Sequence, residues 1–296
     1  KVKYRHCYDV TFPVKLSGIG CFVYGVKKVR KTTNNCINVF ANGAETDTIK
    51  VVINNDGTLD INEKLTGKTY TNILKFENTG DCGESYNYIQ TKDNTAIYPI
   101  SVGTKLVKDN GFSATFEITS IIDIPKGLSN RDSRSSDILR HEIKTYVTLT
   151  QGVDRVDIKT VFTNQSENHR LRVLFPTNIE SDTVMADGQF DVIKRNIKPW
   201  EGWQNPSNTQ RMQAFFGVED ASGGLLVAGR GLCEYEVLRD GKNTMALTLL
   251  RAVGEVGDWG VFPTPEMQLK KELSLEYSLI PYSVESRAKA FNDAYT

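Results

Sequence analysis

Hydrophobic and polar side chains alternate along much of the chain, and residues 112–124 show the pattern most clearly. Their even-numbered positions are apolar apart from Ser120, whereas their odd-numbered positions are polar apart from Ile121. A period of two residues is typical of a β-strand that has one face in a core and the other near solvent. Residues 156–162 alternate in the same way, and the run 143–149 precedes them across a glycine-containing break. We therefore expect these two runs to form a long hairpin.

Turn signals separate the strand-like runs at short intervals. Gly57 and Gly241 each follow an aspartate between two such runs, and glycine allows the positive φ that a tight reversal requires. Frequent reversals without intervening helices favour an antiparallel sandwich over a parallel sheet. Only residues 284–295 have the composition of a helix, with Ser283 as the predicted N-cap. The pattern predicts an all-β fold of antiparallel sheets with a short C-terminal helix.

A polar stretch near the N-terminus predicts how the chain is divided. Residues 30–35, RKTTNN, follow a strand-like segment and mark a boundary. We expect residues 1–32 to be the end of a preceding small β segment or a linker, residues 33–283 to form the sandwich, and residues 284–296 to form a helical tail. The chain begins with lysine and ends inside a helix-like run, so we expect it to be a fragment of a larger protein.

Composition argues against several classes of function. Thirty-six Lys and Arg residues balance thirty-six Asp and Glu residues, so no basic surplus favours nucleic acid or an anionic membrane as a partner. No apolar run approaches the roughly 18 residues of a membrane span. Five cysteines are scattered without C-x-x-C spacing, which favours reduced thiols and a cytoplasmic location.

The histidines do not suggest a metal site. The sequence contains His6, His141 and His169, and no two of them have the spacing of paired ligands, so we expect no metal on this chain. We interpret His169 as a hydrogen-bonded structural residue, whereas His141 suits a general base or a surface residue equally well. A G-x-S-x-G nucleophile motif is absent, and we assign no catalytic residue to the chain.

Residues 80–88, GDCGESYNY, form the strongest candidate site. Asp81 and Glu84 supply carboxylates that accept hydrogen bonds from sugar hydroxyls, and Tyr86 and Tyr88 supply rings that stack on a sugar face. The alternative interpretation is a glycine turn that leads into a strand, with both tyrosines packed against it. Composition alone favours the turn, and the sugar site stays open.

Seven segments follow one another along the chain in an order that carries a family resemblance: residues 55–59, 76–88, 168–176, 186–195, 223–238, 246–254 and 263–268. Together they resemble the C-terminal β region of glycoside hydrolase family 38, the α-mannosidases. The similarity is greatest to the bacterial branch, which includes mannosylglycerate hydrolases. The resemblance implies a galactose-mutarotase-like supersandwich, in agreement with the alternation.

The resemblance also implies where the chemistry lies. In that family a barrel and a helical bundle precede this region, and the barrel supplies an Asp nucleophile and a divalent metal, usually zinc. No cofactor is therefore expected on this chain. By position Tyr86, and next Tyr88, match a tyrosine that extends to the substrate pocket of the barrel, while Glu84 stands where aspartate is commoner. Together with Asp81, these are the predicted substrate-binding residues.

Three functional hypotheses follow. In the first, the chain is the β-sandwich region of a retaining α-mannosidase-type hydrolase, and its partners are a mannose-containing carbohydrate and its own N-terminal catalytic domain. In the second, it is a free-standing aldose epimerase. In the third, it is a carbohydrate-binding module in which Trp200 and Trp203 add a stacking surface. The glycan, its linkage and the formation of a homo-oligomer stay open.

Overall fold

A computed structural model of the chain describes residues 36–93, 95–202, 208–257 and 262–296, together with residues 12, 14, 20–25 and 27. Among these residues, antiparallel β-strands make up nearly all of the regular structure, and one short α-helix lies near the C-terminus. The predicted all-β supersandwich with a short C-terminal helix is confirmed. The predicted boundary at residues 30–35 lies outside the described residues.

The first five strands form a meander that we call the small sheet. They are β1 (Asn38–Phe40), β2 (Gly43–Glu45), β3 (Ile49–Ile53), β4 (Leu59–Glu63) and β5 (Thr69–Ile73). The predicted turn at Gly57 joins β3 to β4 with a φ of 81°. A Cβ on Gly57 would lie 2.9 Å from the Val102 side chain, so the turn packs closely against the neighbouring sheet.

The remaining strands form the sandwich and a short ribbon. The strands that come first are β6 (Lys75–Gly80), β7 (Ser101–Asp109), β8 (Ser113–Pro125), β9 (Ile138–Thr150), β10 (Val156–Thr163), β11 (His169–Phe175), β12 (Thr183–Asp187) and β13 (Val192–Asn196). They are followed by β14 (Gln210–Arg211), β15 (Phe215–Asp220), β16 (Gly223–Arg230), β17 (Glu234–Leu238), β18 (Thr244–Ala252), β19 (Glu255–Val256), β20 (Phe262–Pro263) and β21 (Glu272–Ser283). A 3-10 helix covers Pro265–Gln268.

Nine of these strands form the large sheet, in the order β13-β12-β15-β16-β21-β10-β9-β8-β7. The alternation over residues 112–124 corresponds to β8, where Ile118, Ile122 and Ile124 are buried in the core as predicted. The predicted hairpin is formed by β9 and β10, in which Leu149 pairs with Val156. Both predictions succeed because they depend on local spacing and not on distant partners.

Five more strands form the second sheet, in the order β14-β17-β18-β11-β6. Strand β11 lies next to the edge strand β6 and pairs with it on one side and with β18 on the other. Leu171, Val173 and Phe175 of β11 enter one core cluster with residues of the large and small sheets. Alternating with them, Arg170 and Arg172 lie on the opposite face, where the second sheet carries charged side chains.

The predicted helical tail is a short helix, α1 (Arg287–Asp293). Its first flanking residue is Ser286 and not the predicted Ser283, whose hydroxyl instead accepts a hydrogen bond from the Ser286 N–H at 3.2 Å. Phe291 stacks on Phe215 of the large sheet with ring centroids 5.1 Å apart. Because a helix of this length is marginal on its own, this packing is what stabilises it.

Candidate functional site

Residues 80–88 form a loop at one end of the second sheet. They leave β6 beside the start of β11 and the end of β18, since His169 pairs with both Gly80 and Ala252. The loop folds back on itself tightly. A Cβ on Gly83 would lie 2.0 Å from the Asn87 carbonyl oxygen, so only glycine fits there. We call residues 80–88 the site loop.

Asp81 is buried completely inside the site loop. One carboxylate oxygen accepts hydrogen bonds from the N–H groups of Gly83 at 2.9 Å and Ile89 at 3.3 Å. The other oxygen pairs with Nε of Arg251 at 2.7 Å. Burial raises the pKa of Asp81, and the Arg251 charge and the N–H donors oppose that shift. Its contacts tie the two ends of the loop together.

Arg251 of β18 holds the middle of the site loop. Its Nη2 donates to the carbonyl oxygens of Glu84 and Asn87, each at 2.5 Å. Its Nη1 donates to the Ser85 carbonyl at 3.3 Å. With the Asp81 pair, one guanidinium therefore engages four groups of the same loop. The Ser85 N–H adds a bond to the Glu255 carbonyl just beyond β18, at 3.1 Å.

Glu84 also turns its carboxylate toward its own loop. Its oxygens accept from the Tyr86 N–H at 2.7 Å and from the Asn87 side-chain amide at 2.8 Å. Burial would raise the pKa of Glu84, but these hydrogen bonds outweigh burial and hold it below the ordinary value. The side chain is 7% exposed. Glu84 thus fixes the backbone at the residue that carries the Tyr86 ring.

The two tyrosines have different surroundings. Tyr86 is 74% exposed and extends from the loop into solvent. Tyr88 lies on the outer face of the second sheet, where its hydroxyl donates to Thr79 at 3.2 Å. The guanidinium of Arg170 lies over the Tyr88 ring, 3.5 Å from the centroid. Of the four predicted residues, Tyr86 is the one whose side chain is open to a ligand.

A groove of about 660 Å³ runs along the site loop. Its walls include Glu84 and Asn87 of the loop, Arg131 from the β8–β9 connection, and Asn168 and Glu255 beyond the second sheet. Amide, carboxylate and guanidinium groups of this kind can exchange hydrogen bonds with hydroxyl-rich ligands. The structure therefore brings the loop together with polar groups that are distant in sequence.

His169 has the structural role that the sequence predicts. It is completely buried, its Nδ1 accepts from the Asn78 amide at 2.7 Å, and its Nε2–H donates to Asn164 at 2.9 Å. Burial, with help from the nearby Arg134 charge, lowers the pKa of His169 to about 3. The ring is neutral at physiological pH, and both nitrogens are engaged by side chains.

His141 is a buried residue, which excludes the surface alternative. It is 2% exposed, its Nδ1–H donates to the Leu139 carbonyl at 3.0 Å, and its Nε2 accepts from the Gln165 N–H at 3.2 Å. Burial lowers its pKa. A general base needs a free nitrogen near its substrate, and neither nitrogen of His141 is free here.

Other expected features lie elsewhere or outside the described residues. Trp200 is 68% exposed and lines a separate groove with Asp182 and Arg239, while Trp203 lies outside the described residues. In the part of the chain that the structure describes, no three His, Cys, Asp or Glu side chains cluster closely enough to bind a metal ion. Within that part, no helix is long and apolar enough to span a membrane.

Sequence reasoning missed Arg251. It lies in one of the segments that carry the family resemblance, residues 246–254, but nothing in its local sequence links it to Asp81. Its pairing with a buried carboxylate 170 residues earlier depends on the adjacency of β18, β11 and β6.

Known proteins are similar to this chain in sequence and in fold. Residues 44–255 match the family described as glycosyl hydrolases family 38 C-terminal domain. A protein named putative mannosylglycerate hydrolase, from Halalkalibacterium halodurans, is 30% identical over 258 residues, which cover 81% of this chain and 28% of that protein.

Two solved structures from Enterococcus faecalis are also similar. An α-mannosidase superposes with a TM-score of 0.80 at 33% identity, covering 86% of this chain and 30% of its own. A protein in glycosyl hydrolase family 38 superposes with a TM-score of 0.79 at 32% identity, covering 88% and 32%. The chain spans only 28–32% of the length of these three relatives. Because the family match covers well over half of the chain, the chain belongs to the glycosyl hydrolase family 38 C-terminal domain family.

Proposed function

We propose that the chain is the C-terminal β region of an α-mannosidase-type retaining glycoside hydrolase and that it supplies Tyr86 to the substrate pocket. The observation that carries the proposal is the site loop, in which an exposed tyrosine projects from a backbone held by Asp81, Glu84 and Arg251. A ring held this way stacks on a sugar or hydrogen-bonds a hydroxyl at little entropic cost. The names of the relatives support a mannoside as the substrate.

The chemistry itself belongs, in this proposal, to the part of the longer relatives that this chain does not span. Retaining hydrolysis requires two carboxyl groups about 5 Å apart across the scissile bond. In the site loop, the carboxylates of Asp81 and Glu84 are both occupied by loop hydrogen bonds. We expect the nucleophile, and zinc or another divalent metal, in a preceding catalytic domain that this β region supports.

The four predicted site residues then divide into two roles. Tyr86 makes the direct contact with the sugar. Asp81 and Glu84 maintain the loop, and Tyr88 covers Arg170 on the sheet beside it. Direct binding of the sugar by Asp81, Glu84 or Tyr88 stays a prediction, and it would need their present hydrogen bonds to be exchanged for bonds to hydroxyls.

A Tyr86→Phe variant of the full-length protein tests the proposal. The change removes one hydroxyl from a solvent-exposed ring, so the fold should be unaffected. With an aryl α-mannoside we expect kcat/KM to fall about tenfold, the value of one lost hydrogen bond in the transition state. Tyr146→Phe on β9 is the matched control and should retain activity. Tyr86→Ala removes the ring as well as the hydroxyl, so equal kcat/KM values for Tyr86→Ala and the native protein would refute the assignment.

The chain by itself offers a second test. Incubated with an aryl α-mannoside and zinc, it should give no turnover, and robust turnover would place the chemistry on these residues. Mutarotation of fresh glucose or galactose followed by polarimetry distinguishes the aldose epimerase hypothesis, which the engaged nitrogens of His141 and His169 do not favour. Titration with mannose-containing glycans distinguishes a free-standing binding module.

A further inference from the structure

The direction in which Tyr86 points is determined by a short stretch of backbone. The carbonyl groups of Glu84, Ser85 and Asn87 all turn inward, and residues on both sides of Tyr86 are therefore held while its ring stays 74% exposed. Inward carbonyls in a tight loop need donors, because an unpaired buried carbonyl is costly. A single side chain, Arg251, supplies those donors to all three.

The geometry requires arginine in particular. A guanidinium presents five N–H donors in a rigid plane, so that Nε can bind a carboxylate while Nη1 and Nη2 bind carbonyl groups around the same plane. Arg251 uses four of these five donors, with Nε on Asp81 and the two Nη atoms on the three carbonyls. Its side chain is 13% exposed, so water competes weakly for these bonds.

We propose that Arg251 is a positioning residue, which acts on the substrate through Tyr86 by holding the backbone of residues 84–87. The inference rests on the proposed function, in which Tyr86 contacts the sugar. Lysine at this position keeps the charge and the pair with Asp81, but its single ammonium cannot bridge three carbonyls. Arg251→Lys therefore separates the positioning of the loop from the ion pair.

Amide hydrogen exchange of the full-length protein tests the positioning directly. In Arg251→Lys we expect exchange across residues 82–90 to accelerate about tenfold, because loop openings become more frequent. Arg172→Lys is the matched control. It is a buried arginine on the neighbouring strand β11, and its hydrogen bonds to Glu77 and Glu236 do not involve the site loop. Exchange of residues 82–90 should not change in the control.

A double-mutant cycle tests whether the positioning matters for catalysis. With an aryl α-mannoside, Arg251→Lys should lower kcat/KM about tenfold when Tyr86 is present and by less than about twofold in the Tyr86→Ala background. A role in folding alone would lower kcat/KM by the same factor in both backgrounds. Should lysine prevent folding, Arg251→Gln replaces it in the same cycle, since its amide keeps N–H donors without the charge.

The outcomes separate the two proposals. Unchanged exchange of residues 82–90 in Arg251→Lys, or equal losses of kcat/KM with and without the Tyr86 ring, overturns the positioning role. An unchanged kcat/KM in Tyr86→Ala overturns the proposed function, and the exchange measurement then still decides whether Arg251 holds the loop.

Discussion

Gly83→Ala is the substitution that tests the conformation of the site loop most sharply. A Cβ at this position would lie 2.0 Å from the Asn87 carbonyl oxygen and 2.8 Å from the Ile89 nitrogen. Both are backbone atoms, so a side-chain rotation cannot relieve the clash. The Asn87 carbonyl must move by about 1 Å merely to reach 3.0 Å, a separation that real Cβ contacts rarely go below.

The expected loss of stability follows from the hydrogen bonds that hold the Asn87 carbonyl. It accepts hydrogen bonds from Nη2 of Arg251 at 2.5 Å and from the Glu84 N–H at 3.2 Å. Losing a hydrogen bond to a charged donor costs about 1.5–3 kcal/mol, and forcing a methyl group into packed structure costs about 1–3 kcal/mol. Moving the Asn87 carbonyl breaks its hydrogen bond but also reduces the clash with the methyl group, so the two costs do not add in full. We therefore expect the free energy of unfolding to fall by about 2–4 kcal/mol.

Urea unfolding followed by circular dichroism measures this loss. Gly103→Ala on β7 is the matched control, because a Cβ there meets nothing within 4 Å. The same chemical change at Gly103 should leave stability unchanged or raise it by up to about 1 kcal/mol through the unfolded state. If the free energies of unfolding of the two variants differ by less than about 0.5 kcal/mol, the described loop conformation is wrong.

Two further predictions concern buried charges. Burial lowers the pKa of His169 to about 3, so as the pH falls the unfolded chain binds a proton at this residue before the folded chain does. The contribution of His169 to the free energy of unfolding is therefore fully present above about pH 6.5 and is lost as the pH drops. Between about pH 7.5 and about pH 5 this group should remove about 2 kcal/mol from the free energy of unfolding. His169→Gln should lose that part of the pH dependence, and an unchanged slope would contradict a buried neutral ring. Arg172→Met leaves Glu77 and Glu236 without their cation and should cost about 3 kcal/mol, as breaking buried pairs does. Arg140→Met breaks an exposed pair with Asp123 and should cost less than about 1 kcal/mol. Equal losses of stability in Arg140→Met and Arg172→Met would contradict the expectation that burial makes a broken ion pair more costly.

Local spacing was enough to predict much of the fold. The alternation of β8, the β9–β10 hairpin and the turns at Gly57 and Gly241 all depend on residues close together in sequence, and each is confirmed. Both glycines have the positive φ that their turns require. Local signals of this kind carry over into the structure because the period of a strand and the φ of a turn are properties of the short segment itself.

Strand β11 shows where local spacing stops being informative. Its sequence, HRLRVLF, alternates like a half-exposed strand, yet all seven residues are buried. Arg172 is buried between Glu77 and Glu236, and Arg170 lies beneath the Tyr88 ring. These partners come from β6, β17 and the site loop, so the burial of both arginines depends on the strand order of the second sheet. A sequence window around β11 does not contain that information.

The same limit explains what sequence could say about the site loop. Composition identified its acids and tyrosines, and both interpretations, sugar site and turn, were consistent with those residue types. What distinguishes them is the direction of each side chain, and long-range contacts decide that direction. Asp81 turns inward because Arg251, 170 residues later, lies where β18 ends beside it. With the acids engaged in holding the backbone, Tyr86 is left exposed. In the proposed function, this turn is what holds the ligand contact in place, so the turn and the sugar site are two aspects of the same loop.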